Sequence, residues 1–121
     1  MAKRVLTVDD SRTIREMVAF TLRGAGYEVA EASDGPSGLN LLKTTKFDCI
    51  ISDINMPGMD GIAFTKAVRA TPNHRSAPVL LLTTESDPEK KTLGKQAGAT
   101  GWLTKPFNPD KLIETVRKVC P

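Results

Sequence analysis

The chain has 121 residues, 40% of them hydrophobic and 26% charged, and a formal net charge of +3. That length suits one globular domain, and the interspersed acids and bases favour a solubilising surface over a nucleic-acid-binding one. No apolar stretch approaches the roughly 20 residues that a membrane span needs, and no signal peptide is visible. The two cysteines, Cys49 and Cys120, give no disulfide framework. We predict a soluble, cytoplasmic protein that binds neither nucleic acid nor membrane.

Strand-like segments recur along the chain and predict five strands. They cover residues 5–8, 27–32, 49–53, 79–83 and 100–104, and the second of them is alternating rather than uniformly apolar. The fourth run is almost uniformly apolar, which is typical of a parallel strand that is covered on both faces.

The segments between these runs are amphipathic and predict five helices with recognisable ends. The predicted start residues are Pro36, Asp60, Asp87 with Pro88, and Asn108 with Pro109, and the predicted stop residues are Gly24, Gly26 and Gly98. Alternation of strands and helices predicts an α/β fold, a parallel sheet with helices on both faces. Because the chain ends with the last helix, we expect one domain over residues 1–121 and no output domain.

Several residues outside these elements have plain structural interpretations. The segment 71–78 is predicted to be a loop. His74 lies in it among polar residues, without ligand partners, and is interpreted as exposed and structural. Met56 and Met59 are interpreted as packing residues of a second loop. Cys49, inside an apolar run, is expected to pack as a small hydrophobic residue.

Polar residues that end the predicted strands form the candidate site. Asp9 and Asp10 end the first run, Asp53 the third and Thr83 the fourth, and Lys105 follows the fifth. In doubly wound sheets, ligands bind outside the carboxyl ends of the strands. Clustered carboxylates repel one another, and Mg²⁺ is a hard cation that relieves this repulsion. With a hydroxyl donor and an ammonium group added, the set suits phosphoryl transfer.

In this order, the motifs resemble the receiver domain of bacterial two-component response regulators, in its stand-alone, CheY-like form. The matching segments are Val8-Asp9-Asp10-Ser11, Gly26-Tyr27-Glu28-Val29, Ser52-Asp53-Ile54-Asn55-Met56-Pro57-Gly58-Met59-Asp60-Gly61, Leu82-Thr83-Thr84 and Lys105-Pro106-Phe107. The resemblance implies a (βα)5 flavodoxin-like, doubly wound sheet of five parallel strands in the order 2-1-3-4-5, which is known for that form.

The resemblance also implies the roles of the acids. Asp53 would be the phosphoacceptor. Asp10 and Asp53 would bind Mg²⁺ directly, together with the backbone carbonyl of Asn55, and Asp9 would hold the ion through water. Mn²⁺ would be able to replace Mg²⁺.

Further roles are implied for residues around the acids. Lys105 would pair with the phosphoryl group, and Thr83 would move to bond one of its oxygens. Trp102 stands at the switch position where the family usually has Tyr or Phe, and packing on a strand face is its open alternative. Asn55 and Glu85 would tune dephosphorylation. Two neighbours complete the list: Thr84 would narrow access to the site, and Pro106 would follow a cis bond.

The resemblance implies a signalling switch and not an enzyme, beyond promoting its own phosphorylation and autodephosphorylation. Its kinase would be a CheA-like sensor histidine kinase, and its output a flagellar motor switch component, in chemotaxis or motility control. The domain would act as a monomer. Alternatives are a phosphorelay intermediate that serves a histidine phosphotransfer protein, and an aspartyl-nucleophile phosphatase, which Asn55 disfavours because that position usually holds an acid. One side of the predicted fourth helix is basic. It carries Lys90, Lys91 and Lys95, near Lys111, and is either a solvated face or a surface that binds a partner.

Overall fold

One parallel sheet of five strands organises the protein. The computed structural model describes residues 2–83, 88–105 and 107–120. The strand order is β2-β1-β3-β4-β5, which confirms the order 2-1-3-4-5. The strands are β1 (Arg4–Val8), β2 (Glu28–Ala32), β3 (Cys49–Asp53), β4 (Val79–Thr83) and β5 (Gly101–Thr104).

Five α-helices connect and cover the strands. They are α1 (Arg12–Gly24), α2 (Gly35–Thr44), α3 (Gly61–Arg69), α4 (Pro88–Ala97) and α5 (Pro109–Val119). The predicted caps Asp60 and Asn108 are confirmed, because each side chain accepts from backbone N–H groups of its first turn. No helix in the described part of the chain is both long and apolar enough to cross a bilayer.

Some predicted boundaries differ from the structure. Helix α2 begins at Gly35, since the Asp34 carboxylate caps it by accepting from the Ser37 N–H at 2.8 Å. Pro36 is therefore its second residue and not its first. The predicted cap Asp87 lies outside the described residues.

The core has two layers, one on each face of the sheet. The strand alternation divides the β4 run between them: Val79 and Leu81 pack into one layer, Leu80 and Leu82 into the other. Helix residues such as Phe64 of α3 complete the first layer, and residues of α1 and α5 complete the second. Both faces of β4 are therefore covered, as its apolar run predicted. Polar side chains of the sheet can reach solvent at the strand ends. Cys49 packs in the second layer, where burial raises the pKa of its thiol to about 12.

The prediction of an exposed His74 is wrong. The segment 71–78 contains a short 3₁₀ helix, Pro72–His74, which turns the imidazole inward, where it is 1% exposed. Its Nε2 accepts a hydrogen bond of 3.0 Å from the backbone N–H of Phe47, and the two rings are in contact. The polar neighbours in the sequence gave no sign of this, because the partner lies 27 residues away.

We expect His74 to make stability pH-dependent. Burial, and secondarily the charge of Lys46, lower the pKa of His74 from its usual 6.5. Below pH 6.5 the histidine of the unfolded chain becomes protonated, whereas the folded imidazole stays neutral down to its lower pKa. The contribution to the free energy of unfolding that is fully present above pH 6.5 is therefore lost as the pH falls through the folded-state pKa. His74 is the single histidine of the chain, so its NMR titration is unambiguous. A midpoint at or above 6.5 would contradict this assignment.

Candidate functional site

The carboxyl ends of two adjacent strands, β1 and β3, bring three acids together. Asp53 is the last residue of β3, and Asp9 and Asp10 follow the adjacent β1. Carboxylate oxygens of the three residues lie within 4.8 Å of one another. Asp9 and Asp53 are buried, whereas Asp10 is exposed. The sheet edge predicted from the sequence is therefore the place where these acids meet.

Backbone contacts fix the direction of Asp53. The N–H of Ile54 donates to the Leu82 carbonyl of β4 at 3.1 Å, which extends the strand pairing past the acid. The N–H of Asn55 then donates to Oδ1 of Asp53 at 3.3 Å. The side chain of a strand-end residue is thus held at the mouth of the site, although the residue is only 5% exposed.

Asp9 is held by the first turn of α1. Ser11 caps that helix, its hydroxyl accepting from the Ile14 N–H, and its own N–H donates to Oδ1 of Asp9 at 2.9 Å. Neither acid is therefore the helix cap, which removes the simplest structural explanation for the Asp9-Asp10 pair. Arg15, one turn further along, donates to the Asp9 carbonyl at 2.7 Å and pairs with Glu31 of β2 at 3.4 Å.

Lys105 is directed into the acid cluster. Its backbone N–H donates to the Thr83 carbonyl at 2.8 Å, which carries the β4–β5 pairing one residue beyond the strand. Its Nζ lies 3.1 Å from Oδ1 of Asp53 and 3.3 Å from Oδ2 of Asp9, and the side chain is only 13% exposed. Lys105 is therefore a largely buried partner of both acids and not a solvated lysine.

The charge of the cluster remains negative, because one ammonium group faces three carboxylates. Burial raises the pKa of Asp9; the Ser11 N–H opposes that rise, the charge of Asp53 adds to it, and Lys105 lowers it. Oδ2 of Asp9 is buried and has no hydrogen bond within the described residues beyond its ion pair with Lys105. Clustered carboxylate oxygens with spare lone pairs are the ligands of a hard divalent cation, so the residues present fit Mg²⁺.

A family model for the response regulator receiver domain matches residues 5–117. The chain belongs to this family. Receiver domains are signalling switches of two-component systems, phosphorylated on an aspartate, and they bind Mg²⁺ in an acidic site. The phosphate regulon regulatory protein PhoB of Escherichia coli K12 is 38% identical over 119 residues, 98% of this chain and 52% of that protein. The chain thus spans about half the length of this relative.

Two solved structures resemble this receiver domain closely. The chemotaxis protein CheY4 of Vibrio cholerae has a TM-score of 0.96 and 53% identity, over 98% of this chain and 99% of that one. The receiver domain of the sensor histidine kinase PA1611 from Pseudomonas aeruginosa PAO1 has a TM-score of 0.91 and 27% identity, over 99% and 98% of the chains. That structure contains a magnesium ion coordinated in its active site cleft.

The predicted switch residues of this receiver lie on β4 and β5. Thr83 is the buried last residue of β4 and pairs in register with Thr104. Trp102 is partly buried and packs against the first core layer; a Cβ placed on Gly94 would lie 3.4 Å from its ring. The switching roles of Thr83 and Trp102 stay predictions. The other predictions for this region, on Thr84, Glu85 and Pro106, fall outside the described residues.

Two contacts at the site were not foreseen from the sequence. Arg15 supports Asp9 through its backbone carbonyl, and Lys90 of α4 donates to the Asn55 side chain at 3.0 Å. Arg15 follows the cap Ser11 by four residues, so helix periodicity could have placed it near the strand end. The Lys90 contact joins residues 35 positions apart in the sequence, so a local sequence pattern cannot predict it.

The remaining sequence interpretations concern neighbouring loops and helices. Met56 is buried in the first core layer and Met59 packs against it, which confirms the packing role of both. The basic side of α4 is not uniform: Lys91 and Lys95 are exposed, whereas Lys90 is partly buried. Partner docking on the exposed lysines stays a prediction.

Proposed function

We propose that this receiver domain is a phosphorylation-activated switch that takes a phosphoryl group on Asp53 from a sensor histidine kinase. The observation that supports this most strongly is the placement of the Asp53 carboxylate, 3.1 Å from Lys105 and within 4.8 Å of the two other acids. Asp9 shares the lysine, at 3.3 Å, and the carboxylate neighbours, but it is fully buried, whereas Asp53 keeps 5% of its surface exposed.

The chemistry assigned to the chain's own residues is nucleophilic. A carboxylate oxygen of Asp53 attacks the phosphorus of a phosphohistidine, the phosphorus–nitrogen bond breaks, and the imidazole leaves. Lys105 stays within reach of the transferred oxygens and neutralises part of their charge. Asp10, Asp53 and the Asn55 carbonyl would hold Mg²⁺, with Asp9 behind a water molecule. When bound, this ion would screen the carboxylates from the incoming phosphoryl group.

The output of the switch is proposed to be partner binding. The phosphoryl group would bias an equilibrium between two conformations through Thr83 and Lys105, and Trp102 would follow. Similarity to the chemotaxis protein CheY4 supports a role in chemotaxis or motility control. Phosphotransfer profiling against the host's histidine kinases would identify the donor. Rapid onward transfer to a histidine phosphotransfer protein would instead indicate a phosphorelay.

Removing divalent metal should abolish phosphorylation without unfolding the chain. With acetyl phosphate and Mg²⁺, we expect intact mass spectrometry to show one added phosphoryl group per chain. With excess chelator, we expect none, because uncompensated carboxylates repel the anionic donor. Circular dichroism should be the same in both samples. Absence of the added group when Mg²⁺ is present, or its full presence with chelator, would refute the proposal.

A further inference from the structure

A lysine on α4 reaches the loop that follows the proposed phosphoacceptor. Lys90, the third residue of α4, donates from Nζ to Oδ1 of Asn55 at 3.0 Å. The backbone N–H of Asn55 in turn donates to Oδ1 of Asp53 at 3.3 Å. Asn55 therefore bridges the Lys90 ammonium group and the Asp53 carboxylate by hydrogen bonds. The contact also joins α4 to the loop after β3.

This contact lies on the solvent side of Asp53. Asp53 is buried, whereas Asn55 is exposed and Lys90 is partly exposed. In phosphoryl transfer, the attacking and leaving oxygens are roughly in line with the phosphorus. When the leaving oxygen belongs to the buried Asp53, attacking water must arrive from the solvent side, and Asn55 and Lys90 are, with Asp10, among the residues at least partly exposed to solvent near Asp53.

The charges of the phosphorylated site would also attract Lys90. A phosphoryl group carries about two negative charges near neutral pH, and Asp9 and Asp10 contribute two more. Lys105 and a bound divalent cation supply three positive charges, which leaves one negative charge without a partner. Arg15 contacts Asp9 but is already paired with Glu31, whereas the ammonium of Lys90 contacts this part of the site through the neutral Asn55 side chain.

We propose that Lys90 slows hydrolysis of the aspartyl phosphate by holding the Asn55 side chain across the approach of water. In that reaction, a water oxygen attacks phosphorus, the bond from phosphorus to the Asp53 oxygen breaks with its electron pair returning to the carboxylate, and the water proton passes to solvent. Lys90 is a positioning residue here, since it acts through Asn55. The inference deepens the proposed function and rests on it, because it takes Asp53 as the phosphoacceptor.

The test compares Lys90→Met with Lys91→Met. Both changes remove one ammonium group from α4, but Lys91 is exposed and has no hydrogen bond or ion pair to any described residue. Each protein is phosphorylated with acetyl phosphate and Mg²⁺ and freed of donor, and the loss of the added mass is followed. We expect hydrolysis at least about threefold faster in Lys90→Met, the scale of one partly exposed charged contact. Lys91→Met should match the parent, and Lys90→Arg, which can still reach Asn55, should largely restore the slow rate.

A second measurement needs neither metal nor phosphate. In the metal-free protein, the NMR signals of the Asn55 side-chain amide should shift in Lys90→Met and stay in place in Lys91→Met. Failure of the parent chain to take up a phosphoryl group would overturn the proposed function itself. Normal uptake with unchanged or slower hydrolysis in Lys90→Met would overturn only the inference, as would equal acceleration in Lys91→Met.

Discussion

Asp53→Asn should leave the chain unable to take up a phosphoryl group from acetyl phosphate, with incorporation reduced to the background. The amide that replaces the carboxylate has nearly the same shape but is not a nucleophile toward phosphorus, so no covalent intermediate can form. The loss should be complete because Asp9 and Asp10, although close, follow a different strand, β1, and the Asp9 carboxylate is held there by the Ser11 N–H. Intact mass spectrometry under saturating donor and Mg²⁺ measures the result.

A matched control separates loss of chemistry from loss of structure. Asp60 is an exposed carboxylate at the end of the same loop, where it caps α3, and Asn is an equally good cap. Asp60→Asn should therefore keep full incorporation. Circular dichroism and the urea midpoint should show that both variants fold. Incorporation in Asp53→Asn at the parent level would place the acceptor on another residue.

Gly61→Ala should be the most disruptive single-methyl change near the site. Gly61 is the first residue of α3, and its N–H donates to the Ile54 carbonyl at 2.8 Å, so the helix start lies directly against the end of β3. A Cβ at this position would lie 2.8 Å from the Ile54 Cα and would also meet the Asp53 backbone. Backbone atoms cannot move aside as a flexible side chain can. We expect a loss of about 2 kcal/mol or more in the free energy of unfolding, and slower phosphorylation because Asp53 is displaced.

Gly24→Ala provides the comparison for this substitution. Gly24 ends α1, and a Cβ built there meets nothing within 4 Å. Because alanine favours the helix and restricts the unfolded chain, we expect this variant to be as stable as the parent or more so, by up to about 1 kcal/mol. Urea unfolding of the pair measures the difference. Equal stability of Gly61→Ala and Gly24→Ala would show that α3 can shift without cost.

The sequence predicted those features of the fold that depend on local patterns. The strand-like segments placed every strand to within one residue, and the fully buried β3 and β4 followed most directly, because burial on both faces demands continuous hydrophobic side chains. Cap residues such as Asp60 and Asn108 placed helix starts, since their side chains act on N–H groups two or three residues away. The acid cluster followed from strand ends that a parallel sheet must bring to one edge.

What the sequence did not predict depends on distant partners. His74 looked polar and exposed, but the Phe47 N–H and a single 3₁₀ turn draw it into the interior. Lys90 looked like one more lysine of a basic side, until the packing of α4 beside the loop after β3 placed it next to Asn55. Such contacts are set by how elements dock, and neither residue's neighbours in the chain carry that information.

The position of the acids in the sheet also determines how rarely local unfolding disturbs the site. Asp53 belongs to β3 and Asp9 follows β1, and each of these strands is paired with a neighbour on both sides. Amides in such strands exchange with solvent only through openings close to global unfolding, whereas ends of helices and edge strands open at far lower free energy. The outer elements, β5 and the start of α4, can therefore fluctuate or rearrange many times while the nucleophile keeps its place.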